Sequence, residues 1–99
     1  MAIKVNNKAK LAKKKGSYDY YDWELYLDED ESTLKNIDHV VYILHETFPE
    51  PIRTVSEPDS KFAVQARGWG EFDVGVQVVY KDGSTANEKY RLDLSKSWV

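Results

Sequence analysis

The chain has no cysteine, only two histidines and three prolines among its 99 residues. No apolar run approaches the roughly 18 residues that a membrane-spanning helix needs. Each shortage excludes something. Without cysteine there are neither disulfides nor thiolate metal sites, and a reducing interior is permitted. The first residues lack the apolar core of a secretory signal, so the expectation is a soluble, cytoplasmic protein with no membrane partner. The histidines, His39 and His45, and the scattered carboxylates have no spacing typical of a zinc or calcium site. Asp38 beside His39 is a sequence neighbour, whereas a triad or acid-base dyad needs a base held by a third group. The sequence therefore predicts no catalytic residues, no metal and no cofactor. A net charge of −3 argues against a dedicated nucleic-acid binder.

Aromatic residues, by contrast, are plentiful at 13%, with three Trp and seven Tyr. That content favours strands whose bulky side chains fill the space between two layers. Charge is uneven along the chain. Lys4, Lys8, Lys10, Lys13, Lys14 and Lys15 crowd the start, and seven acidic residues lie between Asp19 and Glu31. The lysines suit an edge strand guarded against edge-to-edge pairing.

Ile3-Lys4-Val5 and Lys8-Ala9-Lys10-Leu11-Ala12 read as that edge strand, with a break at Asn6-Asn7 and a loop over Lys13-Lys14-Lys15-Gly16-Ser17. In Tyr20 to Leu27, Trp23, Leu25 and Leu27 share one face and Glu24 and Tyr26 the other, the period of a half-buried strand. Leu34, Ile37 and Val40 space out one helical turn, too short to stand alone. Val40 to His45 is a nearly all-apolar buried strand. Pro49 and Pro51 favour extended backbone after it. Phe62, Val64 and Ala66 alternate, as do Phe72, Val74, Val76, Val78 and Tyr80. Asp82-Gly83 then marks a tight hairpin leading to Tyr90, Leu92 and Leu94. Short strands with turn signals every ten residues or so predict one all-β domain over residues 1–99, an antiparallel β-sandwich. This pattern alone leaves immunoglobulin-like topology and a small barrel both open.

Two stretches carry the functional signal. Leu44-His45-Glu46-Thr47-Phe48 follows a buried strand, and Gly68-Trp69-Gly70-Glu71-Phe72 sets a Trp between two glycines, where the backbone has unusual freedom. Together they resemble the YEATS domain, a reader of acylated lysine best known in eukaryotic chromatin proteins. The chain looks like a compact bacterial version. The resemblance runs over nearly the whole length and implies an immunoglobulin-like antiparallel β-sandwich. It also implies ligand-binding roles. Phe48 and Trp69 would be sandwiching aromatics, Thr47 a hydroxyl contacting the amide, His45 a supporting imidazole, and Gly68 and Gly70 the flanks that let the loop backbone approach. One departure is that Glu57-Pro58-Asp59-Ser60-Lys61-Phe62 has one proline where the family usually has two and an aromatic.

The chemistry expected of such a slot is simple. A free lysine ammonium is costly to bury unpaired, while acylation leaves a flat neutral amide that fits between rings. Polar partners must replace its lost water, or a penalty of about 1–3 kcal/mol remains. The expected partner is thus an acylated-lysine peptide, acetyl or crotonyl, or another protein. The rival expectation is a protein–protein interaction module of the same fold, working through a sheet edge or the lysine-rich face, with no acyl-lysine site.

Overall fold

A computed structural model describes residues 3–16, 18–46, 48, 50–68 and 70–96, with the backbone alone for 13–15, 18 and 19. Seven strands run in chain order: β1 Val5–Lys15, β2 Tyr18–Leu27, β3 Ile37–Ile43, β4 Ile52–Val55, β5 Val64–Gly68, β6 Asp73–Tyr80 and β7 Thr85–Arg91. One helical turn, α1 Glu31–Leu34, precedes β3. Asp30 caps it by accepting from the Thr33 amide at 2.9 Å. The strands form two antiparallel sheets, ordered β1-β2-β5 and β4-β3-β6-β7. This is an immunoglobulin-like β-sandwich, in which the chain crosses repeatedly from one layer to the other.

The inner faces follow the period-two pattern. Trp23, Leu25 and Leu27 of β2 meet Val40 and Tyr42 of β3 and Val74, Val76 and Val78 of β6, all buried. The outer face of the three-stranded sheet is instead charged and paired within itself. Lys8, Glu24 and Gln65 lie in one cross-strand row and Lys10, Asp22 and Arg67 in the next. Arg67 forks onto Asp22 at 2.7 and 3.3 Å, and that hydrogen bond holds the Asp22 carboxyl below its usual range. On the open side between the sheets, Arg53 of β4 donates to the Gln65 carbonyl of β5 at 3.2 Å and ties the two layers together.

Three sequence expectations need correction. β1 does not break at Asn6-Asn7; it runs on to Lys15, through the lysines read as a loop, with a register shift between Leu11 and Lys13. Asn7 is buried because its side chain donates to the Asp93 carbonyl at 2.8 Å and accepts from the Asp93 amide and the Tyr90 hydroxyl. The strand at Val40 begins earlier and ends sooner, covering Ile37–Ile43. Phe62 is not part of β5: Lys61 and Phe62 both take left-handed backbone, at φ 59° and 56°.

The Phe62 conformation is costly for a bulky residue and is held by its surroundings. Its amide donates to the Glu57 carbonyl at 3.1 Å, and its carbonyl accepts from the buried Tyr42 hydroxyl at 2.6 Å. Burial, and then the Glu24 carboxylate, push the Tyr42 hydroxyl's pKa well above its ordinary value of 10. The folded state thus favours the neutral phenol. Its contribution is present in full below pH 10 and is lost as pH rises beyond that. Tyr42→Phe is expected to cost about 1–3 kcal/mol at neutral pH, since it leaves the Phe62 carbonyl buried and unpaired. It should also flatten the alkaline fall in stability, and chemical denaturation from neutral pH upward measures both effects.

Candidate functional site

The site is built where β3 and β5 end and β6 begins. Beyond Ile43 the chain is pinned by the Leu44 amide donating to the Pro51 carbonyl at 2.7 Å. It then turns on itself, the Phe48 amide donating to the His45 carbonyl at 3.0 Å. That tight turn sends the Phe48 side chain back onto the end of the sandwich. There its ring meets Trp23 at 5.9 Å between centroids and 80° between planes, and Phe72 at 5.2 Å and 42°. Phe72 in turn meets Trp23 at 6.0 Å and 67°, and the exposed His45 ring at 6.2 Å and 70°. Four rings from β2, the 45–48 turn and the residue just before β6 therefore form one cluster. Offset and edge-to-face contacts of this kind add about 0.5–1.5 kcal/mol per pair beyond buried area.

Gly68 completes the cluster from β5. It sits opposite Tyr21 of β2 and is buried. A Cβ placed on it would lie 3.2 Å from Phe48 Cζ and 3.6 Å from Trp23 Nε1. Neither Gly68 nor Gly70 has the left-handed backbone for which the sequence seemed to need them; among described glycines only Gly16 and Gly83 do. Gly68 is favoured because the Phe48 ring takes up the space that a Cβ would need. At Gly70 a Cβ would meet nothing within 4 Å, so the structure gives no packing reason for a glycine there.

Of the six residues predicted for the site, the structure brings His45, Phe48 and Gly68 together around Phe72 and Trp23, with Gly70 in the segment leading to Phe72. Thr47 and Trp69 lie outside the described residues. Sequence reasoning missed the backing. Trp23 was read as core, and Phe72 as the end of a motif and the start of a strand, because the same period-two signal serves both roles. Only the register that sets Tyr21 opposite Gly68, and so Trp23 two residues away on the inner face, could have marked the floor.

Elsewhere His39 Nδ1 lies 2.7 Å from Asp38 Oδ2, a contact on the surface of β3 that sequence adjacency had left open. Among the described residues no group of three or more His, Asp or Glu side chains is gathered to hold a metal ion. Among them, too, no helix is long and apolar enough to cross a membrane.

A seven-stranded immunoglobulin-like sandwich with a ring cluster at one tip, formed by a His-x-x-Phe turn and a glycine-ended strand, defines a small class of β modules. Residues 21–93 match the model of the prokaryotic YEATS domain, and the chain belongs to that family. Among curated proteins it is similar to the AF-9 homolog of Candida glabrata, 43% identical over 54 residues, which is 54% of this chain and 23% of the relative. The AF-9 homolog of Saccharomyces cerevisiae is 35% identical over 69 residues, 68% of this chain and 29% of that protein. Subunit 14b of the Arabidopsis thaliana transcription initiation factor TFIID is 36% identical over 72 residues, 69% and 25% of the two. The matches thus span only about a quarter of these relatives. Among solved structures, the Yaf9 YEATS domain recognising an H3K122suc peptide superimposes with TM-score 0.71 at 27% identity, covering 95% of this chain and 78% of that one. The same domain bound to H3K27ac gives 0.69 at 25% identity, over 95% and 77%.

Proposed function

We propose that this chain is a non-enzymatic binding module that takes an acylated lysine, or a similarly flat and neutral group, between Phe48 and Trp69. The observation that carries this reading is the Phe48 ring lying 3.2 Å from where a Gly68 Cβ would stand, since Trp69 is the residue joined directly to Gly68. Both stretches that supply the slot in the sequence argument are thereby anchored at one tip, on a shared base of Trp23 and Phe72. The family and the peptides named for the Yaf9 structures support the same ligand class. Phe48 supplies one wall, Trp69 the other, Thr47 and the Trp69 backbone the polar contacts to the amide, and His45 supports Phe72 and the turn. The base of Trp23 and Phe72 is aromatic and offers no carboxylate to pair an ammonium, which favours the acylated over the free lysine.

Titrating the protein with acetylated, crotonylated and unmodified peptides of one sequence, followed by NMR, tests the proposal. Expected are shifts centred on residues 45–48 and 68–72 with the acylated peptides and none with the unmodified one. Trp69→Ala is expected to lower affinity about tenfold, the loss of one stacking wall worth roughly 1.4 kcal/mol, while the circular dichroism stays native. Equal binding of modified and unmodified peptides would refute the reading.

A further inference from the structure

Trp23 Nε1 is the one buried side-chain nitrogen or oxygen among the described residues that has no hydrogen-bond partner. The side chain is fully buried. Large buried polar groups are nearly always paired, and one that is not is destabilising. The indole N–H is a donor only, and the rings around it, Phe48 and Phe72, meet it edge-on and offer no more than a weak π acceptor. Its position is specific. The nitrogen lies 3.6 Å from the point above the Gly68 α-carbon that a Cβ would occupy, and Phe48 Cζ lies 3.2 Å from that same point. The donor, the glycine and the ring that is to form one wall therefore converge at the base of the slot.

We infer that the Trp23 indole N–H is a concealed donor of this slot, covered by the Phe48 side chain and offered to a neutral oxygen carried by the acyl chain of the ligand, beyond its amide. The inference rests on the acyl-lysine reading above and names the kind of acyl group. A hydrocarbon chain leaves the donor unpaired. A carboxylate would pair with it too, but only by giving up its water shell at a fully buried floor. A hydroxyl or carbonyl oxygen satisfies the donor without that penalty. Phe48 can make room by rotating its half-buried ring, because its backbone is fixed by the bond to His45. A Cβ at Gly68 would stand 3.6 Å from the nitrogen and add to the cover that the Phe48 ring already gives it.

The test compares two peptides of one sequence and equal acyl length, butyryl-lysine and 3-hydroxybutyryl-lysine, on the whole chain. The hydroxylated peptide is expected to bind about tenfold more tightly, the worth of one hydrogen bond to a donor otherwise left unpaired. With it alone, the Trp23 indole N–H resonance of the wild-type protein should move downfield. Trp23→Phe, which keeps a ring and removes the donor, should bring the ratio of the two affinities to about one, whatever it does to the affinity for either peptide alone. Should that variant fail to fold, the wild-type resonance decides. Equal wild-type affinities with a stationary indole resonance overturn the inference and leave the acyl-lysine reading standing. Failure of both peptides to bind overturns the two together.

Discussion

Trp23→Ala is expected to cost about 3–5 kcal/mol, the range for emptying a fully buried Trp site, and to remove binding along with stability. Domains of this size have about 5–15 kcal/mol in total, so the variant should stand near the edge of unfolding. The coupling of the two losses is what this structure adds. Phe48 and Phe72 both rest on the indole at 5.9 and 6.0 Å, so its removal takes the base from under the ring that comes from the 45–48 turn. Urea denaturation measures the first effect. Peptide titration at low temperature, where the fold is still populated, measures the second. A variant that loses its stability yet binds at wild-type affinity would show that the cluster is mere core.

Gly68→Val is expected to act the other way round, damaging the site more than the fold. The added Cβ would stand 3.2 Å from Phe48 Cζ, and the two methyl groups beyond it have to displace the ring further. Overpacking of this kind typically costs about 1–3 kcal/mol. Phe48 sits on a turn and can yield, so the smaller figure is expected for stability, together with at least a tenfold fall in affinity for an acylated peptide. Gly68→Ala should show the same effects in miniature, because a few tenths of an ångström of movement relieves its contact. Gly70→Ala is the control: with nothing within 4 Å and no left-handed backbone, it should leave thermal stability unchanged. Melting curves and peptide affinities for the three variants side by side separate packing at position 68 from chain flexibility at the loop.

Much of this architecture is legible in the residues, where the determinants are local. The hairpin between β6 and β7 was announced by Asp82-Gly83, and Gly83 takes the left-handed φ of 90° that such a turn requires. The alternation in β2 and β6 placed Trp23, Leu25, Val74, Val76 and Val78 inward, as found. What was not legible depends on partners far along the chain. Asparagines read as turn residues because their side chains compete for nearby backbone, yet Asn7 finds its partners 83 and 86 residues away, in Tyr90 and Asp93. Phe62 reads as a strand residue, and it is the Tyr42 hydroxyl twenty residues upstream, with the Glu57 carbonyl, that keeps it in a conformation its own bulk opposes. At the tip, the family motif made Phe48 and Gly68 visible, but the reason for the glycine, a ring standing where a side chain would begin, is tertiary packing that no local pattern encodes.

The bonds from Asn7 to Asp93 have a further consequence for how the molecule stays apart from its neighbours. They bring the segment after β7 alongside β1, where the Ala9 amide donates to the Lys96 carbonyl at 2.8 Å and the Lys96 ammonium reaches the Asn6 side chain. That short stretch works as a cover strip on a rim that would otherwise present free amides and carbonyls to any passing strand. A chain trimmed before Asp93 would keep every strand of both sheets and still expose that rim, so its solubility, more than its fold or its ligand, is where the loss would first be felt.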